Sequence, residues 1–128
     1  MISHIVIGIS DFERAMRFYG PLMAALQFKV RLSDPSTPWT VWSAADGRRP
    51  FFIIRPPYDG APAQRGNGQM TALLAPDRAT VDLCHQIALA NGGADEGPPG
   101  LRPEYHPDYW GAYFRDPDGN KLCVVCHD

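Results

Sequence analysis

The chain has 128 residues, with 12 lysines and arginines against 14 aspartates and glutamates for a formal net charge of −2, which fits one domain and excludes a nucleic-acid binder that works through a basic surface. Hydrophobic residues make up 45% and charged residues 20%, enough for a packed core and against wholesale disorder, and no apolar run approaches the roughly 20 residues that span a membrane. Met1-Ile2-Ser3-His4 lacks the basic start of a signal peptide, and three cysteines, an odd number, exclude a complete disulfide framework and predict a cytoplasmic protein.

The β-branched run Ile2, Ile5, Val6, Ile7 and Ile9 predicts a strand over 2–9. Ser10 with Glu13 three residues on has the spacing of a capping box. Phe12, Ala15, Met16, Tyr19, Met23 and Leu26 then draw an apolar stripe down one helix face. Gly20-Pro21 interrupts that stripe and predicts a kink or a split. Strands are predicted over 28–32, 39–45 and 51–55, the second closed by the turn signal Asp46-Gly47 and the third by Pro56-Pro57.

Residues 59–68 carry Gly60, Pro62, Gly66, Asn67 and Gly68 and almost no large apolar side chain, the composition of a linker. The pattern then starts again, with a strand over 70–75 and Asp77 as the N-cap of a helix. Leu83, Cys84, Ile87 and Ala88 form that helix's stripe, and Asn91-Gly92-Gly93 ends it. Residues 94–100 are turn-rich with room for a short strand, and 109–115 with 121–126 read as a final hairpin around Asp116-Pro117-Asp118-Gly119-Asn120. His4 to Asp11 and Met70 to Asp77 span the same interval in the same roles. The chain therefore reads as an α+β fold of two βαβββ modules, about 1–58 and 69–128, within a single domain over 1–128. No G-x-G-x-x-G follows a strand and no P-loop is present.

These features resemble the vicinal oxygen chelate superfamily, which holds glyoxalase I, bleomycin-resistance proteins, extradiol dioxygenases and methylmalonyl-CoA epimerase. The residues that carry the resemblance are His4-Ile5-Val6-Ile7-Gly8-Ile9-Ser10-Asp11, Phe18-Tyr19, Gly66-Asn67-Gly68 and, most specific, Tyr113-Phe114-Arg115-Asp116-Pro117-Asp118-Gly119-Asn120. Arg55-Pro56-Pro57-Tyr58-Asp59-Gly60 is similar to a glyoxalase-like subgroup. The resemblance implies two paired modules forming a half-barrel around one cavity, often in a homodimer, with four positions for a divalent metal. His4 matches the first position. The second lies on Phe51–Arg55, where the family commonly has Glu and this chain has no carboxylate. At the third and fourth stand Met70 and Cys123. One imidazole, one thioether and one thiol suit Cu(I) or Zn(II) better than Fe(II) or Mn(II). The expectation is therefore a degenerate metal site with no resident cofactor, a divalent metal being the lesser alternative.

His4 is the candidate catalytic group, since no glutamate falls at an expected position and imidazole titrates near neutrality; its other reading is a strand histidine bonded to backbone. Arg55 ends an apolar strand and could fork onto a carboxylate or phosphate, or be an exposed strand end. Trp42 is the expected cavity wall, although its parity with Trp39 does not fix which face is inside. In Tyr105-His106-Pro107-Asp108-Tyr109-Trp110, His106 and Tyr109 are candidates to close over a ligand, unless the loop is structural. Met70 and Cys123 complete the expected lining. Cys123 and Cys126 cannot close on one metal if 121–126 is a strand, because positions three apart face opposite sides, and Cys84 reads as core. The function expected is binding of a small organic molecule by a glyoxalase- or bleomycin-resistance-like protein. The alternatives are a lyase, isomerase or dioxygenase on a small vicinal-oxygen substrate, or a dimerising structural domain. Neither nucleic acid nor membrane is an expected partner.

Overall fold

The computed structural model describes residues 1–128. The chain runs β1 (His4–Gly8), α1 (Phe12–Ala25), β2 (Lys29–Asp34), β3 (Trp39–Ser43) and β4 (Phe51–Arg55), then β5 (Thr71–Leu74), α2 (Arg78–Ala90), β6 (Ala94–Leu101), β7 (Trp110–Arg115) and β8 (Lys121–Cys126). Two four-stranded sheets result, ordered β1-β4-β3-β2 and β5-β8-β7-β6. In each the first strand runs parallel to the last and the other pairings are antiparallel. The duplicated βαβββ plan is present, and the two sheets stay separate and are not closed into a barrel.

Both helices bury their stripes against one shared core. Ile9, Phe18, Tyr19, Leu22, Trp42, Phe52 and Ile54 of the first half join Val81, Cys84, Phe114, Leu122, Val124 and Cys126 of the second in a single cluster. Phe18 and Phe114 meet across the halves with ring centroids 6.1 Å apart. Such rings each remove a large apolar area from water, the dominant stabilising term.

The turn 116–120 ties the halves together with polar bonds. The Tyr19 hydroxyl donates to Asp116 Oδ2 at 2.6 Å. Asp116 also accepts from the backbone N–H of Asp118 and Asn120 and from Asn120 Nδ2. Asn120 Nδ2 donates onward to the Gly8 carbonyl, and the Ser10 N–H and Arg14 guanidinium both donate to Asp118 Oδ1. Burial and the Asp116 carboxylate push the Tyr19 phenol well up, so its proton stays on oxygen.

Three local expectations change. Asp11, the cap that the repeat interval matches to Asp77, caps α1 in place of a Ser10–Glu13 capping box: its side chain accepts from the Arg14 N–H at 3.0 Å, and the Ser10 N–H that Glu13 would have filled is turned to Asp118. Pro21 does not split α1, which runs unbroken over Phe12–Ala25. Pro21 itself is exposed while Ala15, Phe18, Tyr19, Leu22 and Met23 are buried, and that burial outweighs the roughly 3 kcal/mol a helical proline costs. The turn-rich segment is a full strand, β6, with register shifts against β7; at a sheet edge Pro98 and Pro99 need no ladder partner on their outer side. Asp77 caps α2 as its sequence predicts, accepting from the Thr80 N–H at 2.8 Å. A Cβ on Gly93, just beyond α2, would meet the Ala88 and Arg115 carbonyls at 2.6 and 2.8 Å, so only glycine fits there.

Candidate functional site

Alternation sorts the second sheet into a core face and an open face. Leu122, Val124 and Cys126 point into the core, so Lys121, Cys123 and Val125 take the other side. Register pairs Tyr113 with Cys123 and Arg115 with Lys121, bringing all four to that open face. The connection between β6 and β7 folds over it, its backbone fixed by Arg102 N–H to Tyr109 O at 2.9 Å and Tyr105 N–H to Arg102 O at 3.0 Å. A hollow of about 670 Å³ results, with Met70, Tyr105, His106, Tyr109, Tyr113 and His127 on its walls and Arg115, Lys121 and residues 67–69 at its polar side.

Tyr109 is the hub of this hollow. Its hydroxyl lies 2.9 Å from the Tyr113 hydroxyl and 3.5 Å from Cys123 Sγ. The rings of Tyr105, His106 and His127 sit 5.0, 5.6 and 5.5 Å from its own. Burial pushes both phenols and the Cys123 thiol up, so at neutral pH all three keep their protons. Cys123 is thus a buried thiol rather than a thiolate nucleophile.

The two imidazoles are bonded to each other, His106 Nε2 to His127 Nδ1 at 2.8 Å. The Asp108 N–H donates into His106 Nδ1 at 3.1 Å. That bond fixes the tautomers of the neutral pair: His106 Nδ1 holds a lone pair, its Nε2–H donates to His127 Nδ1, and His127 carries its hydrogen on Nε2.

Of the residues singled out in the sequence, Met70, His106 and Tyr109 line this hollow and Cys123 lies against Tyr109. The other three lie elsewhere. Arg55 sits on the first sheet beside a smaller hollow of about 330 Å³ with Trp39, Pro56 and Pro57, and its Nε donates to the Pro56 carbonyl at 3.3 Å. Trp42 is 2% exposed within the helix-side core, against Tyr19 and Phe52. Its neighbour two residues back fixes the face, since the Thr40 hydroxyl donates to Met16 Sδ on α1. Trp42 also lines a third hollow, about 530 Å³ and mainly apolar, between the two halves. His4 is exposed at the start of β1, 3.0 Å from Ser3 Oγ through Nδ1, and lines none of these hollows.

Cys123 and Cys126 do face opposite sides, and all three cysteines are free and buried. Burial in the core pushes the Cys84 thiol up to about 12. No three His, Cys, Asp or Glu side chains come together as a metal-holding group. His127, Tyr113 and Lys121 line the hollow around Tyr109 and were not singled out by the sequence. The hairpin contained the signal: continuing the Trp110–Cys126 pairing by one residue sets Tyr109 opposite His127.

A family model described as "Glyoxalase/Bleomycin resistance protein/Dioxygenase superfamily" matches residues 1–124. Among solved structures, a glyoxalase/bleomycin resistance protein from Albidiferax ferrireducens T118 is 34% identical, with a TM-score of 0.83 over 100% of this chain and 99% of that one. A glyoxalase-related enzyme from Fulvimarina pelagi is 20% identical, with a TM-score of 0.73 over 98% of this chain and 87% of that one. A glyoxalase/bleomycin resistance protein/dioxygenase family enzyme from Burkholderia phytofirmans PsJN is 15% identical, with a TM-score of 0.72 over 98% of both chains. These last two likenesses are of fold alone. A comparison with curated proteins finds no match.

Proposed function

The chain belongs to the Glyoxalase/Bleomycin resistance protein/Dioxygenase superfamily, and from that premise we propose that it binds a small organic molecule in the hollow on its second sheet. The observation that carries this is the convergence of Met70, three tyrosines and a bonded histidine pair on one space of about 670 Å³. Aromatic walls with a few fixed polar groups are the usual make-up of a small-molecule site. The mainly apolar hollow between the halves is the weaker candidate, because much of its polar lining is otherwise engaged: Ser43 donates to the Ala44 carbonyl, Arg48 pairs with Asp46, and Arg49 is held by Ser3 and the Phe51 ring.

We propose further that the site works without a resident metal. The face of β4 opposite the core carries Phe51, Ile53 and Arg55, with no carboxylate donor. Cys123 is a poor ligand while burial keeps it a thiol. His4 does not line the hollow of Tyr109 and the histidine pair. This donor set does not fit the oxygen- and nitrogen-preferring metals that the family implies, so no chemical step is routed through one. Lyase or isomerase chemistry by proton transfer is the second reading, favoured by the His106–His127 pair. A homodimer is the proposed assembly, supported by Val6, Met70 and Leu74, which are 44–64% exposed on the open sheet faces. The cytoplasm is the proposed compartment, given three unpaired cysteines.

The test is ligand screening by thermal shift on the intact protein and on Tyr109→Ala. Hits that lose their shift in Tyr109→Ala support the hollow as the site; hits that all survive it place the ligand elsewhere. Elemental analysis accompanies the screen, and a stoichiometric metal lost on His4→Ala would overturn the metal-free reading.

A further inference from the structure

We propose that the hollow is built for a planar aromatic anion, a carboxylate above all, with the Lys121 ammonium as its charge partner and His127 among its hydrogen-bond donors. This rests on the hollow being a ligand site and adds the class of ligand.

The charge balance of the walls comes first. No aspartate or glutamate lines the hollow, whereas Arg115 and Lys121 do. Arg115 is already committed: its Nε donates to Glu96 Oε1 at 2.7 Å and its Nη1 to the Gly119 carbonyl at 2.9 Å. Lys121 is not. It forms none of the molecule's ion pairs and no side-chain hydrogen bond, and its Nζ rests 5.7 Å from the Tyr113 ring centroid. The Arg102 guanidinium lies 5.5 Å from the same centroid and donates only to the carbonyls of Leu101 and Pro98. The neighbouring acids are otherwise placed. Glu96 on β6 is paired with Arg115, while Glu104, Asp108 and Asp128 are exposed and outside the lining. A ligand entering here meets uncompensated positive charge beside an aromatic face, and a carboxylate supplies the complement.

The hydrogen-bond inventory points the same way by independent means. The Asp108 N–H and the His–His bond leave the neutral His127 with a hydrogen on Nε2 and no partner for it. Tyr109, Tyr113 and Cys123 retain their three protons, and the two bonds that join these groups use only two of them. The walls therefore present donors to spare, which suits an acceptor-rich ligand. The remaining lining explains the ring: Tyr105 at the rim is 64% exposed and stands 5.0 Å from Tyr109, an open platform for offset stacking.

Calorimetry on the full chain with benzoate, benzamide and acetate tests this. Benzoate binds about tenfold or more tighter than benzamide, the usual scale for a charge-assisted bond, and acetate binds more weakly than either. Lys121→Met abolishes the benzoate–benzamide gap and leaves benzamide binding in place, Lys121→Arg keeps the gap, and His127→Phe narrows it. Equal affinities for benzoate and benzamide, or a gap that survives Lys121→Met, overturn the anion assignment and leave the ligand site standing. Absence of binding by all three probes, together with an empty thermal-shift screen, overturns both.

Discussion

The two halves share a plan and differ in what they put on it. Each pairs its first strand parallel to its last and lays one helix across the inner face. On the first sheet the open face of β4 carries Phe51 and Ile53 and ends in Arg55. On the second it carries Tyr113, Cys123, Arg115 and Lys121. The larger difference lies in one connection. Between β2 and β3 the chain needs only residues 35–38, whereas between β6 and β7 it spends residues 102–109. That longer crossing supplies Tyr105, His106 and Tyr109 to a hollow of about 670 Å³, whereas the short one supplies only Thr37 and Pro38 to a hollow of about 330 Å³. The repeated plan builds the core twice, whereas the candidate site draws on one long connection of the second half, a loop that burial does not constrain.

The largest expected effect breaks the shared core. Phe18→Ala removes the ring that meets Phe114 across the halves and costs about 3–5 kcal/mol. Because Trp42 and Trp110 report on different halves, their urea transitions should coincide in both proteins; separate transitions would mean that the halves fold independently. An intermediate effect sharpens the contrast between the open faces. Tyr109→Phe deletes the hydroxyl that joins Tyr113 and Cys123 and costs about 1 kcal/mol of stability, with a loss of ligand shifts that Trp39→Phe on the first sheet does not reproduce. The smallest effect concerns pH. The His85 hydrogen bond, then the Gly97 N–H, hold the Asp95 carboxyl below its ordinary range. A depressed carboxyl stabilises the fold above its unfolded pKa, and that contribution fades as pH falls through the native one. Asp95→Asn therefore lowers the melting temperature slightly at neutral pH and flattens the acid limb of the profile, the two proteins converging below about pH 4.

Local pattern made much of the fold readable. Phe51–Arg55 and Lys121–Cys126 have the bounds expected of them, being short apolar runs between strong turn signals. Asp77 is the cap its position implies. β6 was harder to read, because Gly97, Pro98, Pro99 and Gly100 carry turn composition and only edge placement lets them extend. The site divides in the same way. Met70 follows from the family resemblance and His106 and Tyr109 from the aromatic loop, whereas His127 and Lys121 depend on hairpin register, which no single segment encodes. Trp42 illustrates the limit of parity: alternation says that it opposes Trp39, and only α1 packing against Thr40 decides which of them faces inward.

The carboxylate of Asp116, gripped by a phenol from the opposite helix, has a consequence for how the polypeptide tolerates damage. The stretch 59–68 is largely solvent-facing and contributes nothing to the apolar interior. A protease that severs it would leave two fragments clasped by the same hydroxyl, the same asparagine and the same packed rings. Continuity of the backbone is dispensable at that point, and mutual burial does the holding.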